Sequence, residues 1–168
     1  WLTISAHKFG GPKGVGALVG EGALAPLLIG GPQERGRRAG THNVSGIAGM
    51  GAAAEAVGSL SSAGRDALEV CCRSLGGEIL GAGAPRLPNT LSVLFDVPGD
   101  LVVMALDLAG VYASNGSACS SGAASESHVV QAMGRAGIPV RFSLGGDTDV
   151  DAVLPILEKV IQQCSVTF

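Results

Sequence analysis

A hydroxyl, an imidazole and an amine lie close together near the start of this 168-residue chain, where they could support Schiff-base chemistry. Ser5, His7 and Lys8 follow the apolar run 2–4, which predicts a buried strand, and precede the glycine-rich run 10–16. A buried lysine at a strand end can lose its proton and attack a carbonyl, as in enzymes that hold pyridoxal phosphate. Ser5 and His7 could then hydrogen-bond a phosphate. The alternative from these residues alone is a basic, glycine-rich turn.

Four further stretches follow in order and, together with residues 5–16 (SAHKFGGPKGVG), carry a family resemblance. They are residues 30–43 (GGPQERGRRAGTHN), 86–90 (RLPNT), 114–122 (SNGSACSSG) and 140–145 (VRFSLG). The set resembles the NifS/IscS class of cysteine desulfurases, which are fold-type I pyridoxal phosphate enzymes of the class V aminotransferase family. The resemblance runs through nearly the whole chain and corresponds to the C-terminal half of such an enzyme. It implies an α/β fold, with the end of the large cofactor-binding domain in residues 1–60 and a small C-terminal α+β domain in residues 61–168.

The resemblance also assigns cofactor-binding roles in the first half of the chain. Lys8 would hold pyridoxal 5'-phosphate covalently, and Ser5 and His7 would contact it. The alternatives are a surface lysine and a satisfied loop histidine. In the family, the threonine matched by Thr41 reaches across a dimer to the partner subunit's cofactor phosphate. The residues alone also allow a simple helix N-cap ahead of Val44.

Two further roles fall in the second half. By resemblance, the Cys119 thiol attacks the sulfur of cofactor-bound cysteine and becomes a persulfide; the alternative is an inert buried thiol. The guanidinium fork of Arg141 would bind the substrate carboxylate, and the alternative is an edge-strand salt bridge. Cys71 and Cys72 are expected to pack in the core.

The activity implied is conversion of L-cysteine to L-alanine by a cytoplasmic homodimer. The sulfur would pass to an iron–sulfur scaffold or to another acceptor, such as a thiolation partner. No resident metal is expected, apart from a transient iron–sulfur cluster that Cys119 would share with a scaffold. The alternatives are a selenocysteine lyase or other class V enzyme, and a non-catalytic dimerisation or binding fragment. Pro32 and Gly146 depart from the family pattern, and the family's acidic partner of the pyridine nitrogen is expected upstream of Trp1.

The overall composition excludes several other classes of function. A formal net charge of −3 gives no electrostatic case for nucleic acid, and no apolar run reaches the roughly 20 residues of a membrane span. The four cysteines include no C-x-x-C pair, so neither a zinc site nor a disulfide framework is expected. The glycines match no nucleotide-binding pattern.

The elements that must position these residues alternate between strands and helices. Strands are predicted at residues 2–6, 15–19, 90–97, 111–114 and 140–144, and helices at 44–57, 65–75, 100–109, 125–134 and from about 148 to 164. Asp100, Ser125 and a Thr148/Asp151 capping box are the expected N-caps. Gly110 and Gly134 should end helices. Pro155 predicts a kink or a late start of the last helix.

Overall fold

The chain folds into two compact units, which are described separately. The computed structural model describes residues 1–116 and 127–167. The first unit comprises Trp1–Ser59 and the second Leu60–Phe168. No helix among the described residues is both long and apolar enough to cross a membrane.

The first unit contains a two-stranded antiparallel hairpin of β1 (Leu2–Ser5) and β2 (Gly16–Val19). A single 3-10 turn, Ala6–Lys8, follows β1. The expected burial of β1 is wrong in this structure, since Leu2 is 61% exposed. The physical reason is that, within the described part of the chain, β1 pairs only with β2, and a two-stranded ribbon buries little apolar surface.

Two helical elements complete the first unit. The short α1 (Gln33–Gly36) contains two residues with left-handed backbone angles, and α2 (Val44–Ala56) agrees closely with the predicted helix. Small residues let α2 approach the hairpin closely: a Cβ on Gly46 would overlap the Val15 side chain, and one on Gly49 would lie 2.7 Å from Pro12. Gly46 and Gly49 of α2 therefore allow close contacts inside this unit.

The second unit is built on a four-stranded antiparallel sheet in the order β3-β4-β6-β5. Its strands are β3 (Glu78–Ile79), β4 (Thr90–Leu94), β5 (Ser114–Asn115) and β6 (Val140–Ser143). Its helices are α3 (Ala63–Ser74), α4 (Gly99–Leu108), α5 (His128–Ala132) and α6 (Val150–Thr167). The sequence did not predict β3, the other strands are shorter than expected, and β5 overlaps its predicted range only at Ser114.

Alternation along the two central strands separates a core face from a polar face. Leu91 and Val93 of β4 lie opposite Phe142 and Val140 of β6, and all four are buried. Helices α3, α4 and α6 contribute most of the other members of this core. Because side chains alternate along a strand, Arg141 must lie on the opposite, polar face.

Several of the predicted helix ends need correction. Pro98 occupies the N-cap position of α4 instead of Asp100, Ser127 caps α5, and the Asp149 carboxylate accepts from the Ala152 N–H at 3.1 Å. Ser125 lies outside the described residues. The late start predicted from Pro155 is wrong, because α6 begins at Val150 and contains Pro155.

The C-terminal ends of helices follow the sequence closely. Gly110 has a left-handed φ of 82°, and the N–H groups of Gly110 and Val111 donate to Asp107 and Leu106 at 3.0 and 2.8 Å. Gly134 ends α5 with the same pair of bonds. These are Schellman ends, which glycine favours because it adopts the left-handed conformation without a steric cost.

Candidate functional site

The turn after β1 brings together three residues that could bind a cofactor. The Ser5 hydroxyl and the His7 Nδ1 lie 3.0 Å apart, and Lys8 is the next residue along the 3-10 turn. Backbone bonds hold the turn: the Ala6 carbonyl accepts from Phe9 and Gly11, at 3.1 and 2.9 Å. A hydroxyl, an imidazole and a primary amine are therefore presented by one constrained segment.

Close backbone approach limits which residues this segment can contain. A Cβ on Gly16 would lie 2.6 Å from the Ile4 carbonyl oxygen, and one on Gly11 would lie 2.9 Å from the Ala6 Cβ. Neither contact is with a flexible side chain, so neither can be relieved cheaply. Glycine at these positions therefore fixes the hairpin geometry from which Lys8 emerges.

The side chains at this turn are accessible, unlike the buried lysine expected from the sequence. His7 and Lys8 are exposed, whereas Ala6 between Ser5 and His7 is fully buried. The buried alanine anchors the turn, and the two flanking polar side chains face away from that anchor. Within this chain, Lys8 is thus accessible to a ligand and not enclosed in a pocket.

Thr41 lies in a separate loop, in which Glu34 contacts two other side chains. Glu34 contacts both ends of this segment: its carboxylate lies 3.6 Å from the Arg38 guanidinium and 3.3 Å from His42 Nε2. Thr41 is exposed, and it is not the N-cap of α2, as the alternative assumed. Asn43 is the cap, because its Oδ1 accepts from the Gly46 N–H at 3.1 Å.

Arg141 lies in the interior of the second unit's sheet. Strand β6 is flanked by β4 and β5, and Arg141 pairs with Ser92 on one side and with Ser114 on the other. The edge-strand alternative is therefore wrong, and no salt bridge involves Arg141 within residues 1–116 and 127–167. Its Nε is buried and has no hydrogen-bond partner among those residues. A buried donor without a partner suits an anionic ligand.

Cys119 lies outside the described residues, so its position is not described. It follows Asn115 of β5 by four residues. The other three cysteines are free, buried thiols, and Cys71 and Cys72 belong to the core as expected. Burial, and to a smaller extent Cys71 and Glu69, raises the pKa of the Cys72 thiol to about 12, and burial also raises the pKa of Cys71 and Cys164. High pKa values make these thiols poor nucleophiles at neutral pH.

The donor set of the Ser5–Lys8 turn fits pyridoxal phosphate chemically. An exposed amine can bond to an aldehyde, and a hydroxyl and an imidazole next to it can bind a phosphate. The Ser5 contact occupies His7 Nδ1, so Nε2 is the ring nitrogen that can face a ligand. Thr41 and Arg141, the other residues predicted to bind cofactor or substrate, lie in other segments of the chain.

Comparison with known proteins gives a consistent relationship. The aminotransferase class-V family model matches residues 1–154. The cysteine desulfurase of Cereibacter sphaeroides is 46% identical over 96% of the chain and 46% of its own length, and that of Klebsiella pneumoniae is 41% identical over 96% and 45%. The chain thus spans about half the length of these curated relatives.

Solved structures agree with this relationship. The NifS-like protein of Rickettsia africae superposes with a TM-score of 0.71 at 28% identity, over 95% of this chain and 47% of the other. A structure described as SspA in complex with cysteine gives 0.63 at 33% identity, over 84% and 43%. With the family model matching nine-tenths of its residues, the chain belongs to the aminotransferase class-V family and is similar to its NifS-like cysteine desulfurases.

Proposed function

We propose that the full-length protein carrying this sequence is a pyridoxal phosphate-dependent cysteine desulfurase. It converts L-cysteine to L-alanine and leaves the sulfur as a persulfide on Cys119. The observation that carries this proposal is the 46% identity to a cysteine desulfurase over 96% of the chain. The grouping of Ser5, His7 and Lys8 on one constrained turn supports it independently.

Each of the candidate site residues has its own role in the proposed reaction. Lys8 holds the cofactor through its amine, and Ser5 and His7 bind it from the same turn. Arg141 binds the substrate carboxylate, which would satisfy its buried Nε or the nitrogens next to it. When bound, the cofactor supplies an electron sink that weakens bonds at the substrate α-carbon.

The sulfur step balances without an external oxidant or reductant. The thiolate of Cys119 attacks the substrate sulfur, the carbon–sulfur bond of L-cysteine breaks, and a sulfur–sulfur bond forms. The electron pair of the broken bond stays with the substrate carbon, which takes up a proton and becomes the methyl group of L-alanine. One thiol and one cysteine thus give one persulfide and one alanine.

The proposal includes an assembly and a destination for the sulfur. The protein acts as a homodimer in the cytoplasm, with Thr41 contacting the partner subunit's cofactor phosphate. An iron–sulfur scaffold or another acceptor protein receives the sulfur from Cys119. Residues 1–60 are assigned to the end of the cofactor-binding domain and residues 61–168 to the small domain.

A sulfur-mapping experiment tests the reaction. The full-length, cofactor-loaded protein is exposed briefly to L-cysteine, and its peptides are analysed by mass spectrometry without reductant. We expect one extra sulfur atom on the peptide that contains Cys119, and alanine in equal amount. Because Cys71, Cys72 and Cys164 are buried with raised pKa values, their peptides should stay unmodified.

The Cys119→Ser variant separates the desulfurase from a lyase that only releases its product. The variant should keep the visible spectrum of the bound cofactor and lose sulfur release, because a hydroxyl is too weak a nucleophile towards sulfur. Full activity of Cys119→Ser, or sulfur on one of the other three cysteines, would contradict the proposal. A Cys164→Ser variant, which alters another thiol of the same unit, is the matched control and should stay active.

A further inference from the structure

Asn89 joins the beginning of β4 to the end of β6 by two hydrogen bonds. The Leu144 N–H donates to the Asn89 backbone carbonyl at 2.8 Å, and the Asn89 side-chain Nδ2 donates to the Leu144 carbonyl at 2.9 Å. The two residues are 55 positions apart in sequence. Asn89 belongs to the RLPNT stretch, to which no role was assigned from the sequence.

These bonds extend the β4–β6 ladder by one pair. Thr90 lies opposite Ser143, so Asn89 and Leu144 form the next pair, and the side-chain amide supplies its second bond. Burial of alternate residues opposes a slip of one position, because that slip would turn Arg141 into the core. Burial opposes a slip of two positions much less, because the same faces stay buried. The two hydrogen bonds between Asn89 and Leu144, here called the Asn89–Leu144 clamp, form in only one register, so they oppose both slips.

The register decides where the Arg141 guanidinium lies. Ser92 and Ser114, the residues opposite Arg141 on the two neighbouring strands, are small and leave room for its side chain. Its Nε has no partner within the described part of the chain, so no side-chain bond at that nitrogen fixes its direction. The backbone of β6 therefore sets the place in the sheet from which the Arg141 side chain extends.

We propose that Asn89 is a positioning residue for Arg141: its side-chain amide locks the register of β6 and so fixes where the substrate carboxylate is bound. This inference rests on the proposed function, in which Arg141 binds that carboxylate. Asn89 itself does not touch the substrate. It acts through the strand that carries the arginine.

The test compares two ligands that differ only in the carboxylate. L-Cysteine and cysteamine are titrated into the full-length, cofactor-loaded protein, and binding is followed by visible absorbance. Asn89→Ala should weaken L-cysteine relative to cysteamine by roughly fivefold, the effect of one lost hydrogen bond. Amide hydrogen exchange at Leu144 should become faster. Asn89→Asp, which keeps the size of the side chain but removes the donor, is the second variant in case the alanine variant folds poorly. It should weaken L-cysteine binding relative to cysteamine in the same way.

Two further variants separate the possible outcomes. Ser74→Ala removes a similar side-chain bond, to the Cys71 carbonyl on α3, and should leave the ratio of the two affinities unchanged. If Arg141→Lys lowers that ratio but the Asn89 variants only lower the melting temperature, this inference is overturned and the proposed function stands. If Arg141→Lys leaves the ratio unchanged, the role of Arg141 is itself wrong and the inference falls with it.

Discussion

Backbone contacts of the neighbouring residues set the position of Lys8. Ala6 is fully buried and its carbonyl accepts two N–H groups, so the residues on either side are held in a short turn. Lys13 lies in the same hairpin connection but beyond Pro12, outside the 3-10 turn. Two lysines five residues apart therefore differ in their surroundings, and only Lys8 adjoins the Ser5–His7 pair.

This difference gives a test of the cofactor lysine. In the full-length protein, Lys8→Ala should abolish covalent attachment of pyridoxal phosphate, because no other amine adjoins Ser5 and His7 in this turn. The measurement is cofactor retained on the protein after borohydride reduction, read by absorbance and mass spectrometry. Lys13→Ala is the control and should keep full attachment. Retention of the reduced cofactor in Lys8→Ala would exclude this lysine.

Sequence reasoning at the residue scale identified side chains by type and could not identify their partners. The contact between His7 and Ser5 joins residues two positions apart, so it could have been predicted from the sequence. The Asn89–Leu144 clamp joins positions 55 apart, and only the folded sheet brings them together. The exposure of Lys8 was also missed, since burial depends on how many strands join β1.

At the scale of elements, the hairpin depends on glycine at position 16. The Gly16 Cα lies so close to β1 that a methyl group there would meet the Ile4 carbonyl oxygen at 2.6 Å. Backbone atoms on a paired strand cannot move without breaking the ladder. The hairpin and the turn that carries Lys8 are therefore coupled through this one position.

We expect Gly16→Ala to destabilise the full-length protein by about 1–3 kcal/mol, the usual cost of forcing extra volume into a packed site. The same variant should weaken cofactor binding, since β1 leads directly into the Ser5–Lys8 turn. Thermal unfolding and cofactor titration measure the two effects. Gly51→Ala on α2 is the matched control, because nothing lies within 4 Å of its added methyl group. In a helix, that change should stabilise by up to about 1 kcal/mol.

The second unit contains an ion-pair cluster that ties α3 to the loop before β4. The Glu69 carboxylate accepts from Arg73 at 2.8 Å and from Arg86 at 2.9 Å. The side chains of Glu69 and Arg86 are only 16% and 20% exposed. The hydrogen bond from Arg73 and, to a smaller extent, the contact with Arg86 hold the pKa of Glu69 below its ordinary value of 4.5, although burial opposes this.

The lowered pKa predicts a pH-dependent contribution to stability. Because the folded-state pKa lies below the unfolded one, the Glu69 carboxylate stabilises the fold above pH 4.5, and this is lost as pH falls through the lowered value. Glu69→Gln should therefore cost about 1.5–3 kcal/mol at pH 7, the range of hydrogen bonds to charged groups. The difference from the parent protein should shrink below about pH 4.

Denaturant unfolding at several pH values gives this comparison. Glu158→Gln, which alters an exposed carboxylate on α6 of the same unit, is the control and should change stability little at any pH. A Glu69→Gln defect that persists unchanged at pH 3 would show that the loss comes from packing and not from charge.

The sequence predicted elements better than their ends. Periodicity located α2, α3, α4 and β6 to within one or two residues. Of these, α3, α4 and β6 each bury one regular face, whereas α2 buries only Gly46. The C-terminal glycines were predictable because left-handed backbone favours one residue type. N-caps were not predictable, because serine, threonine, asparagine and aspartate often compete at nearby positions, as at Thr41 and Asn43.

At the scale of the whole molecule, the two units differ in how much core they possess. Ala6 is the one buried hydrophobic residue of Trp1–Ser59, whereas the second unit has a continuous core. Leu27 and Ile29 of the first unit are 96% and 90% exposed. Large apolar side chains at such exposure are typical of surfaces that contact other protein. Because the chain spans about half the length of its curated relatives, the rest of a longer protein would cover such a surface as well as the second subunit of the proposed homodimer would.

The Thr41 loop allows a direct test of that assembly. If Thr41 contacts the partner subunit's cofactor phosphate, each active site combines Lys8 of one subunit with Thr41 of the other. Full-length Lys8→Ala and Thr41→Ala homodimers should both have little activity. A heterodimer of the two variants should recover activity, because one of its two sites then has both native residues.

The recovery has a definite expected size. Differently tagged subunits are co-expressed, the heterodimer is purified through both tags, and alanine formation from L-cysteine is measured. One competent site in two predicts about half of the parent activity per dimer, since the sites of a symmetric dimer are equivalent. A heterodimer of Lys8→Ala with Thr3→Ala, an exposed position on β1, is the control for tagging and exchange. If Thr41 acted within its own subunit, that control would keep about half of the activity and the Lys8→Ala/Thr41→Ala heterodimer would stay inactive, because its Lys8-bearing subunit would lack the threonine.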